Sequence, residues 1–107
     1  MTNARYSVSI DTVSVDTAVA NSNPINFDSF ASGMVHVPVG SALTTLTWHV
    51  STKIDGAYLA AEDAASVAVT QTVAAGQAHP IPVALAGASF LKITGNAAGV
   101  VGITMKD

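Results

Sequence analysis

Gly33-Met34-Val35-His36-Val37-Pro38-Val39-Gly40-Ser41-Ala42-Leu43-Thr44-Thr45-Leu46-Thr47-Trp48-His49-Val50 is the stretch that decides how this chain folds. Val35, Val37 and Val39 alternate with Met34, His36 and Pro38, and Leu46, Trp48 and Val50 alternate with Thr45, Thr47 and His49. A period of two is the mark of a half-buried strand. Gly40-Ser41 between the runs reads as the turn of a hairpin. Closed there, the hairpin sets Val35 opposite Leu46, Val37 opposite Thr44 and Gly33 opposite Trp48. The apolar residues of both strands then share one face. The other face holds Met34, His36, Pro38, Leu43, Thr45 and Thr47.

The reading extends in both directions. Asp55-Gly56 is a strong two-residue hairpin signal. It sets Val50 opposite Ala61, Thr52 opposite Leu59 and His49 opposite Glu62. A pairing with Glu62 would favour the charged histidine. The expected meander covers residues 33–39, 43–52 and 57–62, with Val35, Val37, Leu46, Trp48, Val50 and Leu59 as its core. Further strands are expected at residues 67–73, 90–94 and 100–106, with Gly76-Gln77 a turn and residues 95–99 a hairpin loop. Towards the N-terminus, Tyr6, Val8 and Ile10 alternate with serines, then Val13 and Val15 take the opposite parity. A turn, bulge or sheet switch is therefore expected at Asp11-Thr12. Residues 60–65 and 83–88 could each make one helical turn, the second started by Pro82 and closed by Gly87. Short strands at this spacing predict an all-β fold. The expected architecture is one antiparallel β-sandwich or jelly-roll-like domain of about eight short strands with at most one or two helical turns.

Composition excludes several classes. The chain has 107 residues, four Lys+Arg, seven Asp+Glu and 10% charged residues, against about 25% in an ordinary soluble domain. Four isolated cations cannot track a phosphate backbone, so no nucleic-acid partner is expected. Residues 29–52 and 64–91 carry no Asp, Glu, Lys or Arg, yet prolines, histidines and glutamines interrupt both, so no membrane span is expected. Residues 1–15 show no apolar core of a signal peptide. The absence of cysteine removes disulfides, thiolate metal sites and a cysteine nucleophile.

No catalytic pattern stands out. There is no Gly-x-Ser-x-Gly elbow, the Gly95–Gly99 segment joins strand to strand rather than strand to helix, and no spaced-acid calcium loop occurs. In the expected hairpin, His36 and His49 stand about 13 Å apart on one face, too far to share a zinc ion. His79 precedes Pro80 and is expected in an extended loop. No enzyme activity, cofactor or metal is expected. Tyr58 could stack on a sugar only if it were exposed beside a second aromatic.

The order Phe27-Asp28-Ser29-Phe30-Ala31-Ser32-Gly33-Met34-Val35-His36-Val37-Pro38, then Leu46-Thr47-Trp48-His49-Val50-Ser51, then Asp55-Gly56-Ala57-Tyr58-Leu59 has a counterpart elsewhere. With residues 69–73, Ala75-Gly76, Pro80-Ile81-Pro82 and Phe90-Leu91-Lys92-Ile93-Thr94, it resembles a group of small β-sandwich virion proteins of tailed bacteriophages and prophages. The resemblance covers residues 25–106 and rests on core and turn positions, not on a catalytic motif. It implies a capsid decoration or cement protein that bridges and stabilises major capsid protein subunits. Such a protein sits on the capsid surface and is made in the host bacterial cytoplasm. A homodimer or homotrimer would match capsid symmetry axes. A tail or fibre module, carbohydrate-binding or not, is the other reading of the resemblance. A bacterial surface or adhesive domain is disfavoured by the lack of an export signal. Residues 1–24 match no pattern and are expected either to join the sandwich or to reach out as an arm. The face Met34, His36, Pro38, Leu43, Thr45 and Thr47, free of fixed charge, is the candidate protein interface.

Overall fold

The computed structural model describes residues 8–15, 22–27, 32–85 and 88–106. Nine strands follow in chain order: β1 Val8–Val15, β2 Ile25–Asn26, β3 Ser32–His36, β4 Thr45–Ser51, β5 Leu59–Ala60, β6 Thr70–Thr72, β7 Ala78–Pro80, β8 Phe90–Gly95 and β9 Gly99–Lys106. They form two antiparallel sheets. The first has the order β1-β9-β3-β7, and the second β2-β8-β4-β5, with β6 also on β4.

β5 and β6 are two halves of one edge strand. Ala61 N–H donates to Trp48 O (3.0 Å), and Trp48 N–H donates to Val69 O (3.1 Å), so Ala61 and Val69 both lie at the level of Trp48. Between them residues 62–68 leave the sheet and return, closed by the Glu62–Ala68 bridge. Asp63 organises this excursion: its Oδ1 accepts from Ala65 N–H (2.8 Å) and Val67 N–H (3.1 Å). The helical turn expected over residues 60–65 is therefore replaced by an Asx-type loop, a competition that short aspartate side chains often win. Counted with this split strand as one, the sheets are β1-β9-β3-β7 and β2-β8-β4-β5/β6. That is the strand order of a jelly roll.

The two sheets face each other across one core. The first sheet contributes Val13, Val15, Val35, Val101, Ile103 and Met105, and the second contributes Ile25, Leu46, Trp48, Leu91 and Ile93, all buried. Among the described residues the single helical element is a 3₁₀ turn at Val83–Leu85, which follows Pro82 as expected and buries Leu85. Its expected closing residue, Gly87, lies outside the described residues, as do Tyr6, Phe30 and residues 1–7 and 16–21 of the expected arm.

Several pairings differ from the sequence reading. Residues 33–39 and 43–52 do not form a hairpin: β3 pairs with β9 and β7, whereas β4 pairs with β8, β5 and β6. The chain arches from one sheet to the other through Gly40 (φ 84°). Leu43 turns inward, and a Cβ at Gly95 would lie 2.5 Å from Leu43 Cδ2, so Gly95 provides the space that Leu43 fills. Residues 95–99 form an arch too, because β8 and β9 lie in different sheets. Alternation cannot separate the two cases: in a hairpin the apolar faces lie side by side, in an arch they meet face to face, and both satisfy the same parity.

Smaller corrections concern register. Val50 opposes Leu59, not Ala61, and His49 opposes Ala60, not Glu62. The connection is longer than two residues: Tyr58 Oη donates to Ile54 O (2.8 Å), and Gly56 N–H donates to Lys53 O (3.1 Å). Leu59, expected in the core, is 68% exposed at the sheet edge, and Val50 is half-buried. No bulge interrupts β1, which pairs one-to-one with β9 from Val8↔Lys106 to Val15↔Gly99. A single long partner holds both halves of β1 in one ladder.

Candidate functional site

The outer face of the first sheet is assembled from three described ladders. β3 brings Met34 and His36, β9 brings Val100, Gly102 and Thr104, and β1 brings Thr12 and Ser14. Ala78 and Pro80 of β7 continue it beside His36 and Met34. Met34 is 37% exposed and Val100 45% exposed. His36 Nε2 and Thr104 Oγ1 share a hydrogen bond of 2.9 Å. Among the described side chains, the fixed charge on this face is Lys106, at its far end. The face runs on to the arch tips, where Pro38, Val39, Ser41, Ala42 and Ala98 line a shallow cleft and Val39 is 90% exposed.

The second sheet differs. Lys92 lies on β8, and Lys53, Asp55, Glu62 and Asp63 occupy the connections that flank β5. Among the described side chains, charge is thus distributed unevenly between the two sides of the sandwich. Inner-face parity and outer-face exposure come from the same ladders, so the uncharged side follows directly from which strands neighbour β9.

The expected interface residues are divided by this topology. Met34 and His36 stand together on the first sheet, and Pro38 lies exposed in the arch that follows. Thr45 and Thr47 belong to β4 in the second sheet. Leu43 is 1% exposed and belongs to the core. Val100 and Thr104 were absent from the sequence reading, because their place beside β3 depends on a pairing across nearly seventy residues. The one sequence signal for them is the alternation of Val101, Ile103 and Met105, which leaves Val100, Gly102 and Thr104 outward.

The histidines are separated. His36 is on the outer face of the first sheet, and His49 is on that of the second. His79 lies in β7, not in a loop, and its Nε2 accepts from Ala74 N–H at 3.1 Å. Among the described residues no group of three or more His, Asp or Glu could hold a metal ion. His49 is buried, and burial holds its pKa below the ordinary histidine value, opposite to the effect expected from Glu62. Tyr58 is half-buried with Lys92 Nζ 4.6 Å from its ring centroid, so one ring face is already occupied. Burial, then the charge of Asp55, raises its pKa. The cleft formed by Val50, Ser51, Thr52, Ala57, Leu59, Ala88 and Ser89 contains no titratable side chain.

Polar side chains bind the sandwich along both sides. On one side, Ser22 Oγ accepts from Ile93 N–H of the second sheet (2.8 Å). Next to it, Asn23 Oδ1 accepts from Ser14 N–H of the first sheet (3.0 Å). On the other side, Gln71 Oε1 accepts from Trp48 Nε1–H (3.2 Å), and Gln71 Nε2 donates to Pro80 O of β7 (2.6 Å). These clasps tie the two sheets together by hydrogen bonds in addition to the shared core. Comparison of the chain with protein-family models, with curated proteins and with solved structures finds no match.

Proposed function

We propose that the chain is a non-enzymatic virion structural protein, a capsid decoration or cement protein that binds major capsid protein through the outer face of the first sheet. The observation that carries this reading is the uneven charge among the described side chains: Met34, His36, Val100, Gly102 and Thr104 form a face with Lys106 only at its far end, while Lys53, Asp55, Glu62, Asp63 and Lys92 lie on or beside the second sheet. Surfaces buried in lasting interfaces are depleted of charge. The jelly-roll strand order is one that capsid and lectin domains share, and it supports the reading by analogy alone. Binding to the assembled shell but not to its free subunits would stabilise the shell by mass action.

Immunogold labelling of particles from the bacteriophage or prophage that encodes the chain tests this. Label distributed over the head is expected. Label confined to the tail, with a bare head, replaces the reading with that of a tail or fibre module. Particles without label overturn the virion reading altogether.

A further inference from the structure

His49 is 4% exposed, on the outer face of a sheet where solvent would ordinarily reach it. Its Nε2 shares a hydrogen bond with Thr94 Oγ1 at 2.9 Å. Its Nδ1 is buried and has no hydrogen-bond partner among the described residues. The cover over it follows from the topology. β8 and β5 flank β4, at about 4.8 Å per strand spacing. Lys92 of β8 reaches Tyr58, which precedes β5, with Nζ 4.6 Å from the ring centroid. That contact must cross over β4, and the β4 residue at the level of Lys92 is His49. Continuing the β4–β5 register sets Tyr58 level with Ser51, so the Lys92–Tyr58 contact forms a strap that crosses β4 beside the histidine, between His49 and Ser51. Tyr58 Oη in turn donates to Ile54 O at 2.8 Å, which ties the strap to the 52–58 segment.

We propose that His49 and the Lys92–Tyr58 strap form an acid-responsive latch: a proton taken up by His49 lifts the strap and frees the 52–58 segment from the sheet. A neutral imidazole carries one N–H and one lone pair; with the N–H at Nε2 donated to Thr94 Oγ1, only the lone pair at Nδ1 is left without a partner. An imidazolium presents N–H donors at both nitrogens, and the second would be buried without an acceptor. The groups around it offer none. From β8 come Thr94, already bonded, and Lys92, whose ammonium offers donors and no acceptor. From β5 comes Ala60, with Glu62 exposed two residues further on. From the 52–58 segment come Tyr58 and, exposed, Lys53 and Asp55. Water is the acceptor left, and it reaches Nδ1 only when the strap moves. Burial lowers the affinity of the closed form for the proton relative to the ordinary value of 6.5. The opened form binds the proton near that ordinary value. Opening is thus favoured as the pH falls below it, by up to about tenfold per pH unit for one proton.

Amide hydrogen exchange on the full chain at pH 7.5 and 5.0, corrected for intrinsic exchange rates, tests the latch. Protection over residues 52–60 is expected to fall about tenfold or more at the lower pH, with β9 unchanged. In His49→Gln, protection is expected to be the same at both pH values. Equal protection at both pH values in the unmodified chain, or the same fall in His49→Gln, overturns the proposal. Should that variant fail to fold, proton NMR of the unmodified chain decides. A His49 ring midpoint below 6.5, shared by the Tyr58 ring signals, supports the latch; a midpoint at or above 6.5, or Tyr58 signals that do not respond, overturns it.

Discussion

Trp48 is held from two directions. Its ring is fully buried between the sheets, and its indole N–H donates to Gln71, which donates onward to Pro80 O. Truncation to Ala should cost about 3–5 kcal/mol, through lost burial and the cavity left behind. Urea unfolding monitored by far-UV circular dichroism measures this, and a near-normal midpoint would remove Trp48 from the core. Gln71→Leu leaves the indole N–H and the Pro80 carbonyl unpaired and should cost about 1–3 kcal/mol. The same titration would show an unchanged midpoint if the clasp contributed nothing. The two residues differ in legibility. Trp48 is inward by the parity of Leu46 and Val50. Gln71 sits between Thr70 and Thr72 with nothing in its neighbours to set it apart, because its partners come from β4 and from the end of β7. A polar residue at an inward position matters only once the group it satisfies is known.

At the level of elements, burial along β3 and β4 was readable, that of Leu43 and Leu59 was not, and neither was partnership. Val35, Val37, Leu46 and Trp48 are all buried, as alternation predicts. The neighbours of β3, and β8 on one side of β4, are strands far away in the sequence, whereas β5 on the other side of β4 is local. Turn residues such as Gly40 and Gly95 mark where the chain reverses without saying whether it stays in its sheet. Leu43 decides the matter, since a leucine driven into the core just after the turn pulls the chain across to the other layer. The cysteine-free chain allows a direct test. Met34→Cys with Thr104→Cys joins residues that face each other on β3 and β9 and should cross-link on oxidation. Met34→Cys with Thr47→Cys, opposite each other in the hairpin, should not, because a disulfide spans about 4.4–6.8 Å between Cα atoms. Mass spectrometry reads both, and the reverse outcome would restore the hairpin.

At the level of the whole molecule, the low charge is concentrated by the topology. β9 lies between β1 and β3, and its outward residues Val100, Gly102 and Thr104 carry no charge. Replacing Met34 or Val100, 37% and 45% exposed, by Asp places a carboxylate on this face outside the buried core. Each should change folding stability by about 0.5 kcal/mol or less. Each should also reduce co-sedimentation with capsids at least tenfold if this face is the interface. Undiminished capsid binding by both variants would move the interface elsewhere. The charge deficit was visible in the sequence, and its location was not. It required knowing that residues 99–106 are the centre of a sheet rather than one arm of a terminal hairpin.

The central place of β9 also orders events in time. β1 and β3 have no common neighbour until residues 99–106 have left the ribosome. During synthesis the first sheet is therefore a solitary β1 and the pair β3–β7, and Val8–Val15 must wait through more than eighty residues for its partner. Chains dominated by such distant pairings fold in about milliseconds to seconds, after a long loop has been closed. A ribosome stalled before β9 emerges would carry an incomplete sheet with open edges, the kind of species that chaperones bind. Among the described strands β9 is the keystone, since it alone joins β1 to the β3–β7 pair.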